Sequence, residues 1–174
     1  MQRSGAGSGA RTSAPAAHPG PAAGALTGIR VLDFTRMLAG PYCTRLLADA
    51  GAEVIKIEPP EGDHIRIALP VRGTHSPYFG QLNCGKLSLA LDLKQPAALD
   101  LIRRLVRQSD IVVENFRPGV MRKFGLDYPR LKVEKPDLIY CAISGFGQSG
   151  PGAGRPAYAP IVHDTVEAMC TDTG

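Results

Sequence analysis

The feature that most constrains the fold is a repeated switch, from Leu26 onward, between short β-type apolar runs and helical periods. Gly28-Ile29-Arg30-Val31-Leu32-Asp33-Phe34 reads as a strand. Tyr42 to Ala50 reads as a helix, opened at Pro41, where a missing N–H costs nothing, and stopped by Gly51. Leu46 and Leu47 are expected to face inward. Glu53 to Glu58 is a second strand, closed by Pro59-Pro60. A strand–helix–strand unit of this kind crosses over right-handedly into a parallel sheet. The alternation continues: Leu87 to Leu93 as strand, Pro96 to Gln108 as helix, Ile111 to Glu114 as strand, and Leu138 to Ser144 as the last clear strand. In the second long helix Ala97, Leu101, Ile102 and Leu105 share one face, while Arg103, Arg104 and Arg107 share the other. Short helices are expected at Val120 to Phe124 and after Tyr128, and a further helix over Tyr158 to Met169. The segment from Pro59 to Gly85 reads as a long loop. Together these elements predict an α/β fold: an open, doubly wound, Rossmann-like parallel sheet with helices on both faces.

Residues 1–25 stand outside that pattern. They hold 8 Ala, 5 Gly, 3 Pro and 3 Ser with no periodic apolar face, so a disordered tail is expected there and a single domain over 26–174. The tail's Gly and Pro oppose an amphipathic targeting helix, and it has no apolar core for secretion. Arg3 and Arg11 supply two of the four net positive charges, which leaves little argument for a nucleic-acid partner. No run reaches the roughly 18 apolar residues of a membrane span. Cys43, Cys84, Cys141 and Cys170 are far apart, without CxxC or His at metal-ligand spacing. All four read as reduced thiols, and Cys43, Cys84 and Cys141 as buried and inert, which points to a cytoplasmic protein with no bound metal.

In a doubly wound sheet, ligands sit beyond the carboxyl ends of the strands. Those ends carry Thr35 to Gly40, Glu58, Asn115-Phe116-Arg117, and Ser144 to Gln148. Several familiar motifs fail. Gly80 to Lys86 matches a phosphate-binding loop until its eighth position, where Leu87 replaces the hydroxyl that would hold magnesium. No GxGxxG follows the first strand, which disfavours a nucleotide-binding oxidoreductase. His18, His64, His75 and His163 are scattered. The stretch Arg117 to Lys135 carries six Lys or Arg against Asp127 and Glu134. It is either a solvated face or an anion site for the phosphates of a small ligand.

Four blocks carry a resemblance: LTGIRVLDFTRMLAGPYCTRLLADAGAEVIKIEPPEGDHIR, NCGKLSLALDLKQP, DIVVENFRPGVMRKFGLDYPRL and PDLIYCAISGFGQSGPGAGRPAYAP. In order and spacing the chain resembles the start of a class III coenzyme A transferase of the CaiB/BaiF family, across about Leu26 to Ile161. The resemblance implies a CoA-binding domain, acyl-CoA and a carboxylic acid as substrates, no tightly bound cofactor, and an interlocked homodimer in the complete family fold. It places Arg36, Met37, Leu38 and Ala39 along the CoA site, Asn115 and Phe116 beside the adenosine, and Lys123 near the phosphates. Ser144 and Gly145 contribute from the last strand end. Two positions depart from the family: Pro59 and Ser144 stand where some members have an arginine and a lysine. Phosphate contacts are then expected to shift to Arg117 or Arg122.

The family's chemistry is nucleophilic catalysis by an aspartate. The resemblance places that aspartate past Gly174, so the expectation is an N-terminal portion without its nucleophile; Asp164 and Asp172 are poor substitutes. The racemase branch of the family uses a His–Asp pair where this chain has Tyr158 and Ala159, so transfer is favoured over racemisation. The competing expectation is a non-catalytic CoA-binding module.

Overall fold

The computed structural model describes residues 24–68, 71, 73 and 76–157. The expected helix over Tyr158 to Met169, Asp164, Asp172 and nearly all of the N-terminal tail lie outside the described residues. Five strands form one all-parallel sheet: β1 (Arg30–Asp33), β2 (Glu53–Glu58), β3 (Leu87–Ala90), β4 (Ile111–Glu114) and β5 (Ile139–Ala142). Their order is β3-β2-β1-β4-β5. Helices α1 (Ala39–Asp49), α2 (Pro77–Asn83), α3 (Pro96–Arg107), α4 (Val120–Phe124) and α5 (Tyr128–Glu134) complete the described fold. This is the doubly wound architecture expected from the alternation of elements.

The strand period of two divides the core between the sheet's faces. Leu32, Ile57 and Val112 join Ile102, Val106, Met121, Leu126 and Leu131 on the side covered by α3, α4 and α5. Val31, Val54 and Val113 pack with Ala52, Leu47 and Ala48 on the α1 side. Several local expectations change. The buried face of α3 is Ala98, Ile102 and Val106, and Ala97 is exposed. Leu46 is half exposed and only Leu47 turns inward. Helix α1 starts earlier, at Ala39, because Pro41 sits within its first turn, where helical N–H groups lack partners anyway.

Strand β3 ends sooner than its apolar run. Asp92 accepts the N–H of Lys94 on its side chain and that of Gln95 on its carbonyl, turning the chain. The segment read as a long loop holds a 3-10 turn (His64–Ile67) and α2. Both carry ordinary start signals: Asp63 Oδ1 accepts Ile65 N–H, and Ser76 Oγ accepts Phe79 N–H ahead of Pro77. Cys84 is exposed, and Cys43 and Cys141 are half-buried, so the expectation of buried thiols fails. Burial, followed by the nearby Cys141 and Asp33, pushes the Cys43 thiol up, which keeps it protonated and unreactive at neutral pH.

Candidate functional site

Strands β1 and β4 are neighbours in space, yet their connections run to opposite halves of the sheet. The region between their carboxyl ends is therefore the switch point at which such sheets bind ligands. One pair of hydrogen bonds closes it from below. Arg36 N–H donates to Asn115 Oδ1 at 2.8 Å, and Asn115 Nδ2 donates to Arg36 C=O at 2.8 Å. The Asn115 amide thus continues the β1–β4 ladder with a side chain. The Arg36 guanidinium carbon stands 5.2 Å from the centroid of the Phe116 ring. Its Nε is buried and without a hydrogen-bond partner among the described residues. Met37 follows with φ of 67°, a left-handed conformation that non-glycine residues seldom adopt. Met37 and Leu38 turn their side chains to solvent.

The expected site residues do not all meet. Arg36 with Asn115 and Phe116 form one cluster, and Met37, Leu38 and Ala39 line the same β1 end. Ser144 and Gly145 follow β5, where Ser144 Oγ accepts a 3.3 Å hydrogen bond from Gln148. Lys123 is exposed on α4, and no hydrogen bond among the described residues joins it to the crevice. Three of the basic stretch's six cations are engaged in surface pairs: Arg122 and Arg130 lie 3.9 and 3.7 Å from Asp127, and Lys135 is 2.9 Å from Asp137; Lys132 lies over the Tyr128 ring instead. Arg117 and Lys123 have no carboxylate within ion-pair distance among the described residues.

Beneath the crevice lies a charged layer that sequence reading missed. Asp33, the last residue of β1, is fully buried. It accepts hydrogen bonds from Thr35 N–H at 2.8 Å, from the Thr35 hydroxyl, from Thr44 Oγ1 at 2.7 Å and from Lys86 Nζ at 3.0 Å. Lys56, also buried, donates to Thr35 C=O at 2.7 Å and lies 3.3 Å from Asp63. At the end of β2, Glu58 is 3% exposed and accepts from both sides of the Arg66 fork, from Ser88 Oγ and from Asp63 N–H. Burial opposes its charge, but those donors outweigh it and hold its carboxyl at about 2. The Arg66 guanidinium also stacks 3.9 Å from the Phe79 ring centroid. With its oxygens so occupied, Glu58 has little left for the ribose hydroxyls that an acid at this strand end commonly binds.

Across the sheet, Glu114 has no cation within ion-pair distance among the described residues. Burial pushes its carboxyl up, only partly offset by the 2.8 Å hydrogen bond from Phe116 N–H. Lys86 falls at the end of the failed phosphate loop, and Lys56 sits inside the apolar strand Glu53 to Glu58. The available signal was the charge itself: a lysine inside a strand flanked by apolar residues needs a buried partner.

Fold and strand order together define a Rossmann-like α/β domain with an all-parallel sheet. The chain belongs to CoA-transferase family III, whose model matches residues 26–174. It is 47% identical over 145 residues to the succinate–glutarate CoA-transferase of Agrobacterium fabrum, covering 79% of this chain and 36% of that protein. It is 46% identical over 140 residues to the acetyl-CoA:oxalate CoA-transferase of Acetobacter aceti, covering 80% and 36%. Among solved structures, a CaiB/BaiF family protein from Brucella suis superposes with a TM-score of 0.78 at 42% identity, covering 82% of this chain and 39% of that one. A hypothetical protein, Rv3272, from Mycobacterium tuberculosis matches at 0.77 and 40%, covering 82% and 40%. The chain thus spans about a third of the length of the curated relatives it matches.

Proposed function

We propose that this chain contributes the CoA-binding domain of an enzyme that moves CoA from an acyl-CoA thioester to a carboxylic acid. The observation that carries the reading is the Arg36–Asn115 bracket with Phe116 beside it, at the switch point of a family III chain. A cation stacked on an aromatic ring, with main chain held rigid next to it, suits an adenine-containing anion. Arg36, Met37, Leu38 and Ala39 line the ligand's path in this reading, Asn115 and Phe116 flank the adenosine, and Ser144 and Gly145 add contacts from β5. Arg117 and Lys123, which have no carboxylate partner among the described residues, serve its phosphates.

The chemistry proposed is that of the family resemblance. An aspartate carboxylate attacks the thioester carbonyl, the C–S bond breaks, and CoA thiolate leaves a mixed anhydride. The thiolate attacks the aspartyl carbonyl and releases the donor acid, giving an aspartyl-CoA thioester. The acceptor carboxylate attacks that thioester and expels CoA thiolate, giving a second mixed anhydride; the thiolate then attacks the acceptor's carbonyl, forming the new acyl-CoA and freeing the aspartate. Asp33 and Asp63 do not suit the nucleophile's role: each is buried and tied to a lysine. The nucleophile in this reading lies past Gly174, as the family resemblance implies, and the working enzyme is a cytoplasmic homodimer; the relatives' names, succinate–glutarate and acetyl-CoA:oxalate CoA-transferase, favour short dicarboxylates as the acids. The one alternative is a CoA-binding module without catalysis.

Calorimetric titration of the protein with CoA tests the shared core of both readings. Binding in the micromolar range is expected, with no binding of NAD. Absence of heat and of any melting shift at millimolar CoA would overturn them. Hydroxylamine trapping of the complete polypeptide, which in the catalytic reading supplies the aspartate, after incubation with succinyl-CoA separates the two: an activated aspartyl carboxyl yields an aspartyl hydroxamate, and a non-catalytic module yields none.

A further inference from the structure

We propose that Lys86 is a positioning residue for the crevice: it never meets the ligand, but its ammonium holds the Arg36 backbone in the geometry that binds CoA. The inference rests on the CoA-binding reading and deepens it. Lys86 lies between α2 and β3, 50 positions from Arg36 along the chain, and its side chain is 1% exposed. Its Nζ lies within 2.8–3.0 Å of four oxygens: Asp33 Oδ2, Thr44 Oγ1, Asn83 Oδ1 and Pro41 C=O. One ammonium thereby joins the end of β1, the first turns of α1 and the end of α2.

The path from Lys86 to Arg36 is short and has no loose joint. Asp33, held by Lys86 and Thr44, fixes Thr35 by its N–H and its hydroxyl. Thr35 is fully buried, and Lys56 holds its carbonyl. Gly40 closes against its side chain so tightly that a Cβ there would lie 2.3 Å from Thr35 Cβ. The next residue is Arg36, whose N–H and C=O both belong to Asn115. Met37 then holds its left-handed conformation, which persists only where surrounding contacts over-determine the backbone. Without the ammonium, the Asp33 carboxylate is a buried charge without its cation partner and must turn toward water, releasing Thr35 and the loop behind it.

The test compares Lys86→Met and Thr44→Val with Leu131→Ala, a fully buried core position on the opposite face of the sheet. CoA is titrated into each full-length protein at a temperature where circular dichroism shows it folded. Amide hydrogen exchange at Arg36 is followed without ligand. We expect Lys86→Met to weaken CoA binding about tenfold or more, equivalent to about 1.4 kcal/mol, and to speed Arg36 exchange. Thr44→Val should do the same to a smaller degree. Leu131→Ala should lower the melting temperature while leaving affinity and Arg36 exchange as in the wild type, which a merely structural role for Lys86 would not distinguish. Wild-type affinity and Arg36 exchange in folded Lys86→Met overturn the proposal. If Lys86→Met does not fold, Thr44→Val decides by the same two readouts. A wild type that does not bind CoA defeats the functional reading alone, and Arg36 exchange still decides the positioning role.

Discussion

Arg36 gives both of its main-chain polar groups to one side chain, and the crevice depends on that arrangement. Asn115→Ala removes both partners and leaves a half-buried N–H and C=O unsatisfied. A loss of about 1–3 kcal/mol is expected in urea unfolding, together with weaker CoA binding. Met37→Gly separates strain from contact: it should raise stability by about 1 kcal/mol by relieving the positive φ, yet weaken CoA binding as the loop gains freedom. Glu58 sets an acid limit on the fold. Its folded carboxyl titrates at about 2 against an ordinary 4.5, so its stabilisation is whole above pH 4.5 and drains away as pH falls toward 2. The magnitude is on the order of 3 kcal/mol. Glu114, shifted upward, has the opposite sign: its burial penalty at neutral pH is relieved on acidification. Melting curves of Glu58→Gln between pH 7 and 3 should therefore fall less steeply than the wild type's. An unchanged slope would show that Glu58 does not set that limit. Of these residues, Arg36, Met37, Asn115 and Phe116 were legible as strand-end loop positions. Asp33 and Lys86 were not, because an acid in a strand and a lysine in a turn look solvated until their partner is seen.

At the scale of elements, α1 depends on a glycine. Ala normally favours a helix over Gly by about 1 kcal/mol. At Gly40 the added Cβ would strike Thr35 at 2.3 Å, and overpacking of that kind costs about 1–3 kcal/mol, so sterics should win. Gly40→Ala is expected to lower the melting temperature and CoA affinity together. A rise in melting temperature would mean that the β1 loop yields easily, contrary to the clamp on Thr35. Strands β2 and β4 end where the apolar pattern placed them, since both are flanked by clear turn residues. The 3-10 turn and α2 are masked in the sequence by the Gly, Pro and His residues crowded between Pro59 and Gly85. Only their capping residues, Asp63 and Ser76, announced them.

At the scale of the molecule, two apolar layers among the described residues hold the sheet, and CoA should act as a further stabiliser by binding only the folded chain. At a hundredfold excess over its dissociation constant the gain is about 2.7 kcal/mol, read as a concentration-dependent rise in melting temperature. The sequence by itself determined the fold class and the strand ends where a ligand can sit. Apolar periodicity and turn residues are local properties, and a parallel sheet has few other ways to use them. Tertiary structure decided the strand order, the junction of β1 with β4 and the charged layer beneath it. Lys86 and Asp33 are 53 residues apart. A buried ion pair is a statement about two distant groups sharing one low-dielectric space, and neither residue reveals it alone.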